Sequence, residues 1–338
     1  MTESLPTDDE LSDVAEVTSR IRTSISTVLS GLDQAISATL ATALAQGHLL
    51  MEDVPGVGKT TLARAFAASV DCTVGRIQFT PDLLPSDVTG VSIFRADDHR
   101  FEFRKGPIFA NVVIADEINR ASPKTQAALL ESMQERSVTV DGATRPLPRP
   151  FLVVATQNPV EMEGTYPLPE AQRDRFMAQV SVGYPEARAE MAMLDSHDGH
   201  DPLAELTPVA DAAALEKAID VARRIYAAPA IKQYIVDLVG ATREDGSLRL
   251  GASPRASLQL LAAAKARAAM ASRNHVLPDD VKALAVAVLA HRLIVSTEAR
   301  LAGRTAQQIT RDVVAATPVP SAARDAAPAR EAAVVRAT

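Results

Sequence analysis

The chain holds 338 residues, 35.9 kDa, of which 47% are hydrophobic, enough for one large or two ordinary domains with a sizeable core. No apolar run reaches the length of a bilayer span and the acidic N-terminus lacks a basic-then-apolar leader, so no membrane insertion and a cytoplasmic location are expected. One cysteine, Cys72, excludes an internal disulfide framework and a cysteine-built zinc site, and a net charge of −7 disfavours nucleic acid as a partner.

Residues 1–10 are polar and acidic and read as a disordered arm. Val14, Ile21, Ile25 and Val28 then recur at helical spacing, with Gly31 as a stop signal. A second helix is expected from Asp33 to Ala45, ended by Gly47. His48-Leu49-Leu50-Met51 predicts a strand, and Leu62 to Ala67 favours a helix; between them runs Glu52-Asp53-Val54-Pro55-Gly56-Val57-Gly58-Lys59-Thr60-Thr61.

Strand, glycine loop, Lys-Thr and helix, in that order, make a phosphate cradle. Loop amides and the helix N-terminus converge on one spot, where anionic oxygens replace water. On this reading Asp53, Val54, Pro55, Gly56, Val57, Gly58 and Thr61 line the phosphates of ATP. Lys59 reaches the β- and γ-phosphates and Thr60 ligates Mg²⁺. The strict pattern G-x-x-x-x-G-K-[ST] places a glycine where this chain has Asp53.

Ser92–Arg95 and Phe101–Gly106 alternate apolar and polar residues around Asp97-Asp98-His99, as a hairpin does. Phe109 to Ala115 is an apolar run of the kind found in central parallel strands, and it ends in Asp116-Glu117. The two carboxylates can divide the labour. Asp116 would hold Mg²⁺ beside Thr60, and Glu117 would orient and polarise the water that attacks the γ-phosphate. Solvated acids at a strand end are the plainer alternative.

Ser122 and Pro123 are the cap and first residue of a helix that continues to Glu135, with Leu129, Leu130 and Met133 on its apolar face. Asp141-Gly142 marks a second hairpin. Phe151–Ala155 is another buried strand. At its end the Asn158 carboxamide can bond both the attacking water and a γ-phosphate oxygen, or simply form a turn before Pro159. From Pro185 strand signals vanish, and Ala-rich helices are expected near Glu186–Leu194, Ala212–Tyr226, Ala230–Glu244, Pro254–Ser272 and Asp279–Val295. His197-Asp198-Gly199-His200 reads as a loop between domains rather than a metal site, and Pro318–Thr338 as a Pro/Ala-rich tail.

The blocks Glu52–Thr60, Ala115–Ala121, Lys124–Glu131, Ala155–Pro159 and Leu168–Phe176, in this order, resemble the MoxR family of AAA+ ATPases over roughly residues 10–315. Several roles follow from that resemblance. It implies that Asn158 is the sensor-1 residue and that Arg175 is the arginine finger reaching a neighbouring subunit's γ-phosphate, with Arg173 as the alternative. Arg255, within Gly251–Ala256, matches sensor 2. Gly31-Leu32-Asp33-Gln34 partly matches a turn that contacts adenine, and the 92–106 hairpin would project towards a ring pore.

The implied fold is α/β: a doubly wound parallel P-loop sheet with helices on both faces, followed by a small all-helical lid. The expected divisions are a disordered arm at 1–10, the nucleotide-binding domain at 11–184, a linker and first lid helix at 185–200, the lid at 201–317 and a tail at 318–338. The implied activity is ATP hydrolysis by a Mg²⁺-dependent ring, expected to be a homo-hexamer. Its role would be chaperone-like, in assembly, maturation or metal insertion of partner complexes, commonly beside a protein with a von Willebrand factor A domain. A nucleic-acid motor, a chelatase-like subunit and a nucleotide-gated scaffold with little turnover remain as alternatives.

Overall fold

A computed structural model describes residues 4–29, 31–53, 58–97, 99–158, 165–183, 191 and 202–320. Strands β1 (Leu49–Glu52), β2 (Val74–Gln78), β3 (Val112–Asp116), β4 (Leu152–Gln157) and β5 (Ala178–Val180) form one parallel sheet in the order β5-β1-β4-β3-β2. The period of two along each strand sorts their side chains into two cores. Leu49, Met51, Val112, Ile114, Leu152 and Val154 face one; Leu50, Val113, Ala115, Val153 and Ala155 face the other. Both faces are therefore covered, which is why β1, β3 and β4 are apolar almost throughout.

The second face is closed by the helix Pro123–Glu135 through Leu129, Leu130 and Met133. The first face packs on the helices Asp8–Val28, Asp33–Leu44 and Lys59–Ser69. That core continues without a break into the helical part of the chain, from Leu215 to Leu293. Each fully buried Leu, Ile or Phe in it is worth roughly 1.5–3 kcal/mol, so the helical part is held to the sheet layer by the same apolar core. Among the described residues no helix is long and apolar enough to cross a membrane.

Several expectations are corrected. The first helix begins at Asp8, so residues 8–10 are not part of a disordered arm. The Thr7 hydroxyl accepts the Glu10 N–H at 3.2 Å, and the Glu10 carboxylate accepts the Thr7 N–H at 2.8 Å. Asp8, Asp9 and Glu10 then sit in the first turn, where the helix dipole favours acids.

Strands also occur after Pro185. Ala210–Asp211 pairs in parallel with Val70–Asp71, and Leu248–Leu250 pairs antiparallel with Ile294–Val295. The α-helix expected to reach Val295 ends at Leu289 and tightens into a 3-10 turn over Ala290–Arg292, and the β-branched Ile294 and Val295 enter that ladder instead. Two more helices, Thr297–Leu301 and Ala306–Ala316, were not foreseen. The expected 186–194 helix (Met191 apart), the 197–200 loop and the tail from 321 lie outside the described residues.

The two hairpins, Gly90–Arg95 with Arg100–Lys105 and Ser137–Val140 with Ala143–Pro146, are separate two-stranded sheets and not edges of the central one.

Candidate active site

The site assembles at the C-terminal ends of β1, β3 and β4, where a doubly wound sheet binds its ligands. Gly58 caps the helix Lys59–Ser69 with φ 89° and ψ 18°. Among the described residues a Cβ there would meet nothing closer than 3.6 Å, and the left-handed backbone by itself calls for glycine. The Lys59 ammonium donates to the carbonyls of Asp53 and, at 3.1 Å, of Gln157, so it bridges the ends of β1 and β4. Thr61 is half-buried in the same first turn. Val54, Pro55, Gly56 and Val57 lie outside the described residues.

Asp116 ends β3 and is buried. Its Oδ1 accepts from the Thr60 hydroxyl at 2.9 Å and from the Thr156 hydroxyl at 3.4 Å. Its Oδ2 accepts from Arg76 Nε at 2.9 Å. Glu117 follows in the left-handed region, φ 57° and ψ 49°, a conformation a non-glycine residue keeps only where its surroundings enforce it. Here the enforcement is visible: the Glu117 N–H donates to Thr156 Oγ1 at 3.0 Å. The carboxylate is held by Gln78 Nε2 at 3.1 Å and by Arg120 Nη1 at 3.0 Å. The backbone turn thus separates two adjacent acids, one buried against Thr60 and one directed to the rim.

Asn158 is buried one residue past β4, and its carbonyl accepts from Asn119 Nδ2 at 3.2 Å. Asp53, expected to line the phosphates, opens the loop. Its carboxylate is engaged by Ser181 Oγ at 2.6 Å and by the Gly183 N–H at 2.5 Å, so this part of the loop contributes a carbonyl to Lys59 and a tie to the chain after β5.

The remaining candidates form a separate group around Asp174. Arg173 ends the short helix Glu170–Arg173, and its buried Nε has no hydrogen-bond partner among the described residues. Arg175 lies two residues beyond that helix, so the two arginines do not share it. Arg255, in the first turn of the helix Pro254–Met270, has Nη1 3.7 Å from Asp174 Oδ2. The structure therefore brings Arg255 to the segment that carries Arg175.

The donor set fits a magnesium nucleotide. Mg²⁺ prefers a few protein oxygens and leaves its other positions to phosphate and water. Thr60 and Asp116 offer two such oxygens 2.9 Å apart. Among the described residues no group of three His, Cys, Asp or Glu could make a protein-only cage. Lys59 and the helix N-terminus add positive charge at the same spot.

Residues 48–178 match the model of the ATPase family associated with various cellular activities (AAA), and residues 240–313 match an AAA lid domain. The chain is 44% identical over 282 residues to chaperone MoxR1 of Mycobacterium tuberculosis (strain ATCC 25618 / H37Rv), spanning 80% of this chain and 74% of that one. This chain belongs to the MoxR family of AAA+ ATPases. It is also similar to the uncharacterized protein YeaC of Bacillus subtilis (strain 168), 50% identical over 299 residues, 88% of this chain and 92% of the relative. A crystal structure from Cytophaga hutchinsonii ATCC 33406, provisionally described as an ATPase, superposes with a TM-score of 0.85 at 36% identity and covers 93% of this chain and 98% of that one.

In this MoxR-family site four residues went unassigned from sequence: Arg76, Gln78, Arg120 and Thr156. Arg76 and Gln78 are alternate residues on β2, a strand buried on one side only, so both side chains emerge on its open face beside the acids. Their signal is a register, with Gln78 opposite Asp116, and not a motif. Thr156 lies within the Ala155–Pro159 block, but its bonds to Asp116 and Glu117 appear only once β3 and β4 are adjacent.

Proposed function

We propose that this MoxR-family protein hydrolyses ATP with Mg²⁺ as a ring of identical subunits, expected to be a hexamer in the cytoplasm. Its nucleotide domain would span 11–184 and its lid 201–317. The observation that carries the reading is the meeting of Lys59, Thr60 and Asp116 at one end of the sheet. Lys59 and the loop amides would hold the triphosphate, and Thr60 with Asp116 would hold the metal. Bound Mg²⁺ neutralises charge on the β- and γ-phosphates. Glu117, at the rim, would orient and polarise water, with the Asn158 amide as a second contact. Arg175 of one subunit, or Arg173 in its place, would complete the site of the next.

The chaperone-like use of this cycle, on partner protein complexes and beside a protein with a von Willebrand factor A domain, rests on family membership. The test is phosphate release with Mg²⁺ and with a chelator, followed by capture of partners on the Glu117→Gln variant. Retained proteins, with turnover that depends on them, support the chaperone role. Stimulation by single- or double-stranded DNA instead assigns a motor. Tight ATP binding without turnover assigns a scaffold.

A further inference from the structure

We infer that Asp174 is a positioning residue that ties the lid to the segment carrying Arg175, so that lid position in one subunit sets the arginine offered to the next. This rests on the Arg175 reading above. Three lid groups converge on the Asp174 carboxylate. Ser253 Oγ donates to it at 3.0 Å, Arg292 Nε donates to Oδ1 at 2.8 Å, and Arg255 Nη1 lies 3.7 Å from Oδ2.

Arg292 is the deepest of the three, its side chain 2% exposed. Its terminal nitrogens also donate to the carbonyls of Phe176 at 2.6 Å and Met177 at 3.3 Å. The neighbouring His291 bonds Phe176 O through Nε2 at 3.1 Å. Residues 174–177 are therefore gripped along their backbone as well as at the carboxylate. Separating a buried guanidinium from its carboxylate leaves an uncompensated charge, so this segment follows the lid instead of sliding past it.

Ser253 adds an independent sign. It occupies the N-cap of the helix Pro254–Met270, yet its hydroxyl makes no cap bond to that helix. A serine there ordinarily caps its own helix; this one spends its hydroxyl on Asp174, 79 residues away in the chain. Arg173 and Arg175 are the covalent neighbours of Asp174, so a displacement of one Cα is passed to the next across a rigid peptide. Arg255, the lid group matched to sensor 2, is on the same carboxylate.

The test mixes two kinds of subunit. The acceptor carries Arg175→Ala: its own site is complete, and it depends on a neighbour's finger. One donor carries Glu117→Gln and retains ATP; a second carries Lys59→Ala, which binds ATP about 100-fold more weakly and stays empty at ATP concentrations that just fill the acceptor. Turnover of a mixture then reports acceptor sites served by a donor's Arg175. The two donors are expected to differ by about fivefold or more, a usual size for coupled sites. Asp174→Asn placed in both donors should abolish that difference, and Ser253→Ala should shrink it.

If neither donor restores turnover in mixtures that form rings, the Arg175 finger reading itself fails. If the donors restore turnover equally, or their ratio survives Asp174→Asn and Ser253→Ala, the inference is overturned. A contact that merely glues lid to sheet would lower the melting temperature and leave the ratio intact. Should Asp174→Asn not assemble, the ratio with Ser253→Ala decides.

Discussion

The Thr60 hydroxyl lies 2.9 Å from Asp116 Oδ1, although 56 residues separate them in the chain. A hydroxyl and a carboxylate in this relation form an oxygen pair for a hard cation. Thr60→Val keeps the side-chain shape and removes one oxygen. The Mg²⁺ concentration for half-maximal turnover should rise at least the roughly tenfold that even an outer-shell partner is worth, and a Mg²⁺ titration of phosphate release measures it. An unchanged titration curve would remove Thr60 from the metal site.

Lys59 bridges the carbonyls of Asp53 and Gln157. Removing a charged donor from such a half-buried position should weaken ATP binding by about two orders of magnitude. Fluorescent-nucleotide titration of Lys59→Ala checks this, and wild-type affinity would dissolve the phosphate-cradle reading.

Glu117 leaves the sheet in a left-handed turn and is held by Gln78 and Arg120. Glu117→Gln keeps the shape and one acceptor oxygen for Gln78 and Arg120 but loses the basic carboxylate. Nucleotide affinity should stay near wild type while turnover falls by about 10²–10⁴. Equal loss in binding and turnover would instead make Glu117 a structural residue.

How legible the site was depends on how many faces of a strand are covered. β1, β3 and β4 are buried on both sides, so they stand out as apolar runs, and the groups at their ends (Lys59, Asp116, Glu117, Asn158) were named from sequence. β2 is exposed at alternate positions and reads Val-Gly-Arg-Ile-Gln, so neither the strand nor Arg76 and Gln78 announced themselves. The Asp174 group was hidden for a different reason. Its bonds to Ser253 and Arg292 span 79 and 118 residues, and no local pattern encodes a contact of that length. The strands after Pro185 are two or three residues long, too short to show a period.

Arg175 is placed by the Asp174 contacts at the junction of sheet and lid. If it serves a neighbour's site, Arg175→Ala should bind nucleotide normally and lose about 10³–10⁵ in rate. Mixing it with Lys59→Ala subunits should restore part of the turnover, since each kind then lacks a different half of the shared site. Absence of rescue in mixtures that form rings would reassign the finger, with Arg173→Ala the next variant to test.

His48 sets a pH dependence that is independent of catalysis. Its Nδ1 accepts the Val153 N–H at 3.0 Å, and its Nε2–H donates to the Met133 carbonyl at 3.1 Å, so both nitrogens are used by the neutral ring. Burial pushes its pKa from 6.5 down to about 4. Between those values the unfolded chain holds a proton that the folded one does not, so stability rises with pH there. The contribution is fully present above pH 6.5 and is lost as pH falls towards 4, reaching on the order of 3 kcal/mol. Urea unfolding at pH 7 and pH 5 isolates it by comparison with His48→Gln, which cannot take up the proton. Other titrating groups are common to both proteins and cancel, so the wild type should lose about 2 kcal/mol more than the variant over this interval. Equal losses would mean that the ring is protonated in the folded state as readily as in the unfolded one, and that one of its two backbone bonds is not made.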